Sequence, residues 1–243
     1  MAYPVTLETL MLKARQRANL ETGDAAADDF ITDDELIGEV NTSLAEWWDF
    51  IRATTFSGTF CRKRFPFQTT AAILDTPPVS PPRGSYYPLP ADFLHLISVD
   101  ISVGQNLVLT AESLPEEKRN AFKFYPVGAW TQYDPIYYRL DAGNIVFLPP
   151  PPGQYNIQLN YCPVAPRLSR PSDSFDSINS WEEWIVLDVA IKMLIKDGQT
   201  DIIPLLMQMR DKQEARIKSL VPKRDMQTAE MIHETHFADE WLW

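Results

Sequence analysis

The run His233-Glu234-Thr235-His236 comes one residue short of H-E-x-x-H, the spacing that sets two imidazoles on one helix face around zinc with a glutamate as base. Here the histidines are three apart and the glutamate is out of register. His95 is the only other histidine, so no third ligand is at hand. The four residues read as two exposed histidines in a tail. Cys61 and Cys162 are too few for a disulfide scaffold and read as free thiols of a protein made in a reducing compartment, with no neighbour that would lower either pKa. The carboxylate pairs Asp33/Asp34 and Glu116/Glu117 adjoin helix starts or solvent-facing helix positions, where they cap or solvate. No G-x-S-x-G elbow, Walker loop or G-x-G-x-x-G occurs. The expectation is a protein that is not an enzyme, with no cofactor and no metal.

Arg62-Lys63-Arg64, flanked by Phe60, Phe65 and Phe67, is a basic triplet among aromatics, a combination that can stack and neutralise a nucleic acid strand. The commoner meaning is an amphipathic strand with its phenylalanines inward and its cations in water. Charge favours that meaning. The net charge is −11, with 4 Lys/Arg against 11 Asp/Glu over residues 1–55, 10 against 10 over 56–176, and 8 against 12 over 177–243. A protein that grips phosphates by counterion release would show a basic surplus, whereas acidic walls let DNA slide past. The N-terminal residues show no secretory signal pattern, and no stretch nears the roughly 18 apolar residues of a membrane span.

The elements that must carry these residues follow from periodicity. Leu7, Leu10, Met11, Ala14 and Ala18 share one helical face, with Thr6 placed to cap it. Thr32-Asp33-Asp34-Glu35 is a capping box that opens a helix through Leu36, Ile37, Val40, Leu44, Trp47, Trp48 and Ile51. The period then falls to two. Ile97, Val99, Ile101 and Val103 alternate with polar residues, as do Tyr155, Ile157, Leu159 and Tyr161. Residues 136–140 and 144–148 flank Asp141-Ala142-Gly143, a hairpin turn. Helix returns at Ser180-Trp181-Glu182-Glu183, a second capping box, and stops at Gly198. Thr200 caps a last helix whose apolar side is Leu205, Leu206, Met209, Ile217 and Leu220, closed by Pro222. The expected class is α+β: residues 1–55 and 176–221 form a helical bundle, 56–175 a β-rich insertion, and 222–243 an extended tail.

The ordered segments 6–24, 30–51, 86–101, 143–175 and 180–196 together resemble a head-to-tail connector adaptor of a tailed bacteriophage; the most specific are Tyr-Pro-Leu-Pro-Ala-Asp-Phe at 87–93 and the proline-interrupted strand pair ending at Tyr161. The resemblance implies a virion protein, made in the host cytoplasm, that forms a commonly twelvefold homo-oligomeric ring beneath the portal protein at the capsid vertex. The ring would extend the channel for double-stranded DNA, without specific binding, toward a nozzle or tail-tube protein. Two other readings are a component lower in the tail, and a glycan-binding β module using Tyr86, Tyr87, Tyr137 and Tyr138.

The C-terminal residues add a chemical argument. Met231, Phe237, Trp241, Leu242 and Trp243 stand among acids with no long helical stripe. Burying four large apolar side chains is worth on the order of 6–12 kcal/mol gross. Ordering a floppy tail consumes much of that, so one tail binds modestly and a ring of them binds tightly through effective concentration. These five residues are the expected portal-binding tail, against the alternative that they fold back on their own domain. Arg62, Lys63 and Arg64 are the expected channel or DNA contact.

Overall fold

In the computed structural model the described residues are 2–18, 31–54, 62–70, 86–103, 107–115, 117 and 135–225. The architecture is α+β, and the chain divides into two compact units, Met1–Phe56 with Pro166–Trp243, and Ser57–Ala165.

The first unit is helical. Helix α1 (Leu7–Arg17) starts where the Thr6 hydroxyl accepts from the Thr9 amide at 3.2 Å, and it buries Leu7, Leu10 and Ala14. Helix α2 (Asp33–Thr54) opens with both halves of the capping box closed: the Glu35 amide donates to Thr32 Oγ1 at 3.3 Å, and the Thr32 amide donates to Glu35 Oε2 at 3.2 Å. Its inner face is Leu36, Val40, Leu44, Trp47 and Ile51. Helix α3 (Glu183–Asp197) is apolar nearly all round, and it packs against α1, α2 and α4 (Ile203–Asp225) as the centre of the unit. It ends where Gly198 takes φ 76°, a left-handed stop that an L side chain resists.

Several expectations here are corrected. Strands β1 (Ala2–Thr6) and β9 (Ser174–Ile178) pair antiparallel as a two-stranded sheet that the periodicity did not announce. The second capping box does not form: Ser180 sits at φ 61°, and the residue before α3, Glu182, makes no capping bond because its carboxylate serves Tyr3, Ser177 and Lys13 instead. Thr200 does not cap α4; the first helical bond runs from the Leu206 amide to Ile202 O, so Pro204 falls in the first turn, where no amide is needed. Pro222 does not close α4, which continues to Asp225, and the expected tail therefore begins later than residue 222. Of α4's supposed apolar side only Leu206 and Ile217 are buried, while Leu205 is 57% exposed.

The second unit holds a seven-stranded sheet in the order β2-β8-β4-β5-β6-β7-β3, with β2 (Lys63–Gln68) and β3 (Tyr86–Pro88) at its edges. All pairings are antiparallel except that of β5 (Val108–Ser113) with β6 (Tyr137–Asp141). Prolines 66 and 88 both lie in the edge strands, where a missing amide costs least. β6 and β7 (Asn144–Leu148) form the expected hairpin, turning through Ala142 at φ 45° and Gly143 at φ 83°. In β8 (Asn156–Pro163) the inward set Ile157, Leu159 and Tyr161 is as the alternation predicts. In β4 (Phe93–Ser102) it is not: the register shifts between Leu96 and Ser98, so buried Leu96 joins Val99 and Ile101 on the core face and Ile97 is only half-buried. The core gathers Tyr87, Val99, Ile101, Phe147, Ile157 and Leu159, with Phe65 and Phe67 packed on its rim. Cys162, expected as a free thiol, is disulfide-bonded; the chain's other cysteine, Cys61, lies outside the described residues.

Candidate interaction surfaces

The basic triplet lies at the start of an edge strand, and strand alternation separates its members. Arg62 and Arg64 are exposed, whereas Phe65 and Phe67 turn onto the core rim, as an amphipathic strand requires. Lys63 is committed elsewhere: its ammonium bonds Asp92 Oδ2 at 2.7 Å, and Asp92 Oδ1 accepts from the Tyr161 hydroxyl at 2.7 Å. The Lys63 ammonium, followed by the Tyr161 hydroxyl, holds the Asp92 carboxyl below its ordinary range against the opposing effect of burial. Burial, reinforced by the Asp92 carboxylate, pushes the Tyr161 phenol up to about 12. Among the described residues neither Arg62 nor Arg64 has an ion-pair partner, so of the three cations these two are left to meet a polyanion.

Asp92 also explains the segment at 87–93. Tyr87 is buried, its ring 5.3 Å from Phe67 and 5.8 Å from Phe147, with its hydroxyl donating to Thr70 O at 3.2 Å. Phe93 closes a tight turn on Pro90 O and stacks on Tyr161 at 5.9 Å. Asp92 O accepts the Val164 amide. The segment is thus a corner that fastens β2, β4 and β8, a structural role the sequence reading did not assign. It also breaks up the supposed tyrosine platform: Tyr86 is exposed, but Tyr87 is core and Tyr137 and Tyr138 are half-buried.

Two carboxylate centres in the helical unit were missed as well, because their partners come from distant segments. Glu182, 3% exposed, accepts from the Tyr3 hydroxyl at 2.8 Å and the Ser177 hydroxyl at 2.8 Å, with Lys13 at 3.5 Å. Asp188, also 3% exposed, binds Arg210 at 2.6 Å through Oδ1, and Ser43 at 2.7 Å and Lys192 at 2.9 Å through Oδ2. In both, burial alone would raise the pKa. The bonds from Tyr3 and Ser177 in one case, and from Lys192, Ser43 and Arg210 in the other, outweigh it and leave each carboxyl below its ordinary value. Arg210 further lies 5.8 Å over the Trp184 ring, which stacks on Phe50 at 6.2 Å. These centres tie β1, α2, α3 and α4 together and are fully occupied in doing so. They offer no free acid or base to a substrate.

Open surface is found instead as shallow grooves. One of about 740 Å³ runs along the outer side of α2. Another of about 300 Å³ lies in the β unit, between the start of β4 and the end of β6. Among the described residues, no group of three or more His, Cys, Asp or Glu could hold a metal, and no helix is long and apolar enough to cross a membrane. The expected tail residues Met231, Phe237, Trp241, Leu242 and Trp243, like His233 and His236, lie outside the described residues.

No curated protein matches the chain. A family model does: the one described as SU10 adaptor protein matches residues 6–231, which takes in every helix and all but the first few residues of β1 among the strands described above. Charge networks spent on cohesion, grooves open on both units and a family match across nearly the whole length agree, and the chain belongs to the SU10 adaptor protein family of phage structural adaptors.

Proposed function

We propose that the protein is a subunit of an oligomeric ring, commonly twelvefold, seated between the portal protein at the capsid vertex and the tail of the virion. The ring continues the DNA channel. The observation that carries this reading is the family match over residues 6–231, a range that takes in the helices and strands of both units. A non-enzymatic role fits the family, and it fits carboxylates that are consumed by internal partners. The acidic balance of the chain suits a conduit through which DNA passes without sticking, and exposed Arg62 and Arg64 supply sparse, weak phosphate contacts at most.

Met231, Phe237, Trp241, Leu242 and Trp243 form the portal-binding tail in this proposal. The family match ends at Met231, so Phe237, Trp241, Leu242 and Trp243 follow the matched region, where a segment suited to one particular partner belongs. The test is a chain truncated after Asp225, mixed with the portal protein of the same virus and sedimented. The expected result is a folded protein that no longer travels with portal rings. Binding equal to that of the full chain refutes the tail assignment, and capture by isolated tail proteins but not by portal moves the subunit lower in the tail.

A further inference from the structure

Of the edge strands of the two sheets, β1 carries Pro4, β2 carries Pro66 and β3 carries Pro88. A proline offers no amide to an incoming strand, which is one way an edge is kept from pairing with another chain. The remaining edge, β9, has no proline. The Leu7 amide bonds Asp173 O at 2.9 Å, and in an antiparallel ladder that pattern returns every second residue. Phe175 and Ser177 therefore turn their backbone groups toward β1, while Ser174, Asp176 and Ile178 turn theirs away. Among the described residues no strand lies on that outer side, and of the groups turned toward it only Ile178 O is engaged, by the Trp181 amide. Ser174 and Asp176 are exposed, and Asp176 has no ion-pair partner among the described residues.

β2 presents a complementary edge. The Thr69 amide bonds Tyr155 O at 2.9 Å, so by the same count Arg64, Pro66 and Gln68 turn their backbone groups away from β8. Arg64 is exposed and, among the described residues, without an ion-pair partner. We propose that β9 of one copy of this chain receives β2 of a second copy as an added strand, antiparallel, with Arg64 opposite Asp176. In that register the Arg64 and Asp176 amides bond each other's carbonyls, the Ser174 amide bonds Pro66 O, and the Ile178 amide bonds Arg62 O. β9 keeps all its own donors, so the proline of β2 costs the pairing one bond. That bond falls opposite Ser174, at the end of the strand, where the carbonyl left over keeps its water. Sidedness agrees as well: Arg64 and Asp176 lie on the side exposed in both sheets, and Phe65 lies on the side that Phe175 turns inward. A cation directly opposite a carboxylate favours this partner, whereas two β9 edges meeting about their centres would set Asp176 against Asp176. Because the two edges are different strands of one chain, the contact is head-to-tail, and its repetition closes a ring when the rotation allows. The pairing rests on the ring reading above and adds to it the strands that touch; it also draws Arg64 away from phosphate.

The test joins charge exchange to amide exchange in the full chain. One variant carries Arg64→Glu, a second Asp176→Arg, and a third Asp176→Pro, which removes an outward amide and leaves the β1 ladder intact, as Pro4 opposite it already does. Both positions are exposed, and circular dichroism checks each fold. Self-association is followed by sedimentation velocity at low ionic strength, with and without portal rings as template. Each charge variant alone is expected to associate roughly threefold to tenfold more weakly than the natural chain, because like charges then face each other. An equimolar mixture of the two recovers association, since each reversed side chain meets its opposite on the other variant. Asp176→Pro is expected to weaken association roughly tenfold or more, and mixing does not rescue it. Hydrogen exchange over residues 174–178 of the natural chain slows on assembly, as the outward amides find partners. Rings that form on portal with all three variants, and with exchange over 174–178 unchanged, refute this interface and leave the ring reading standing. A mixture of the charge variants that stays apart while the natural chain associates also refutes it. Absence of association by the natural chain even on portal refutes both.

Discussion

Asp188→Asn is the sharpest test of how the helical unit is held together. The substitution keeps the volume but removes the charge shared by Arg210, Lys192 and Ser43. Removing one partner of a buried ion pair costs about 3–5 kcal/mol. Here the Arg210 and Lys192 side chains retain 25% and 26% of their exposure, so water recovers part of their solvation. The cost therefore falls to the foot of that range or just below it, about 2–3 kcal/mol. For a chain of this size that corresponds to a fall in Tm of roughly 5–10 °C. The assay is thermal melting of the full chain at pH 7, followed at 222 nm to report the helices. Acid sharpens it. The Asp188 carboxyl titrates below its ordinary value in the folded protein, so its contribution is fully present above the unfolded pKa and is lost as pH falls through the lowered folded value. The gap between natural and variant proteins therefore narrows below about pH 4, where the unfolded carboxyl begins to protonate. A variant that melts within a degree of the natural chain at pH 7, or a gap that persists unchanged in acid, refutes the argument.

Tyr161→Phe removes the hydroxyl that bonds Asp92 and is expected to cost about 1.5–3 kcal/mol, read by urea unfolding of the β unit. Because the folded Tyr161 phenol is pushed up to about 12, its contribution is complete below the unfolded pKa and disappears as pH climbs through that raised value; in the natural protein, ultraviolet titration should show one late tyrosine that the variant lacks. Ala142 occupies φ 45°, so Ala142→Asn is expected to stabilise the hairpin by about 0.5–1 kcal/mol, visible as a higher urea midpoint. Arg62→Glu with Arg64→Glu alters two exposed side chains and should leave the Tm within about 2 °C while weakening any salt-sensitive retention on DNA–cellulose; a large loss of stability would mean these arginines are structural.

What could be foreseen was local. Thr6, the Thr32/Glu35 box, the Ala142-Gly143 turn and Gly198 each fix a few neighbouring dihedrals, so their meaning is complete within four residues of sequence. What escaped depends on distant partners. Ser180-Trp181-Glu182-Glu183 has the letters of a capping box, yet Tyr3, 179 residues away in sequence, claims the Glu182 carboxylate. Strand β1 is five residues long and exists through its pairing with β9. Ile97 fits a period of two, but the bulge that displaces it is set by β8 across the sheet. The candidate surfaces divided the same way: the inward phenylalanines followed from alternation, whereas the capture of Lys63 by Asp92 required the corner built by residues 87–93.

The β unit is one continuous stretch of chain, while the helical unit is split around it. On the ribosome this reverses the usual N-to-C order. Helices α1 and α2 emerge before α3, on which both pack and which follows more than a hundred residues later. At bacterial elongation rates of about 5–20 residues per second the wait is on the order of ten seconds. Throughout that interval the nascent chain displays greasy, half-finished amphipathic helices beside a sheet able to fold to completion, which makes the early helices the stretch on which a holding chaperone would act.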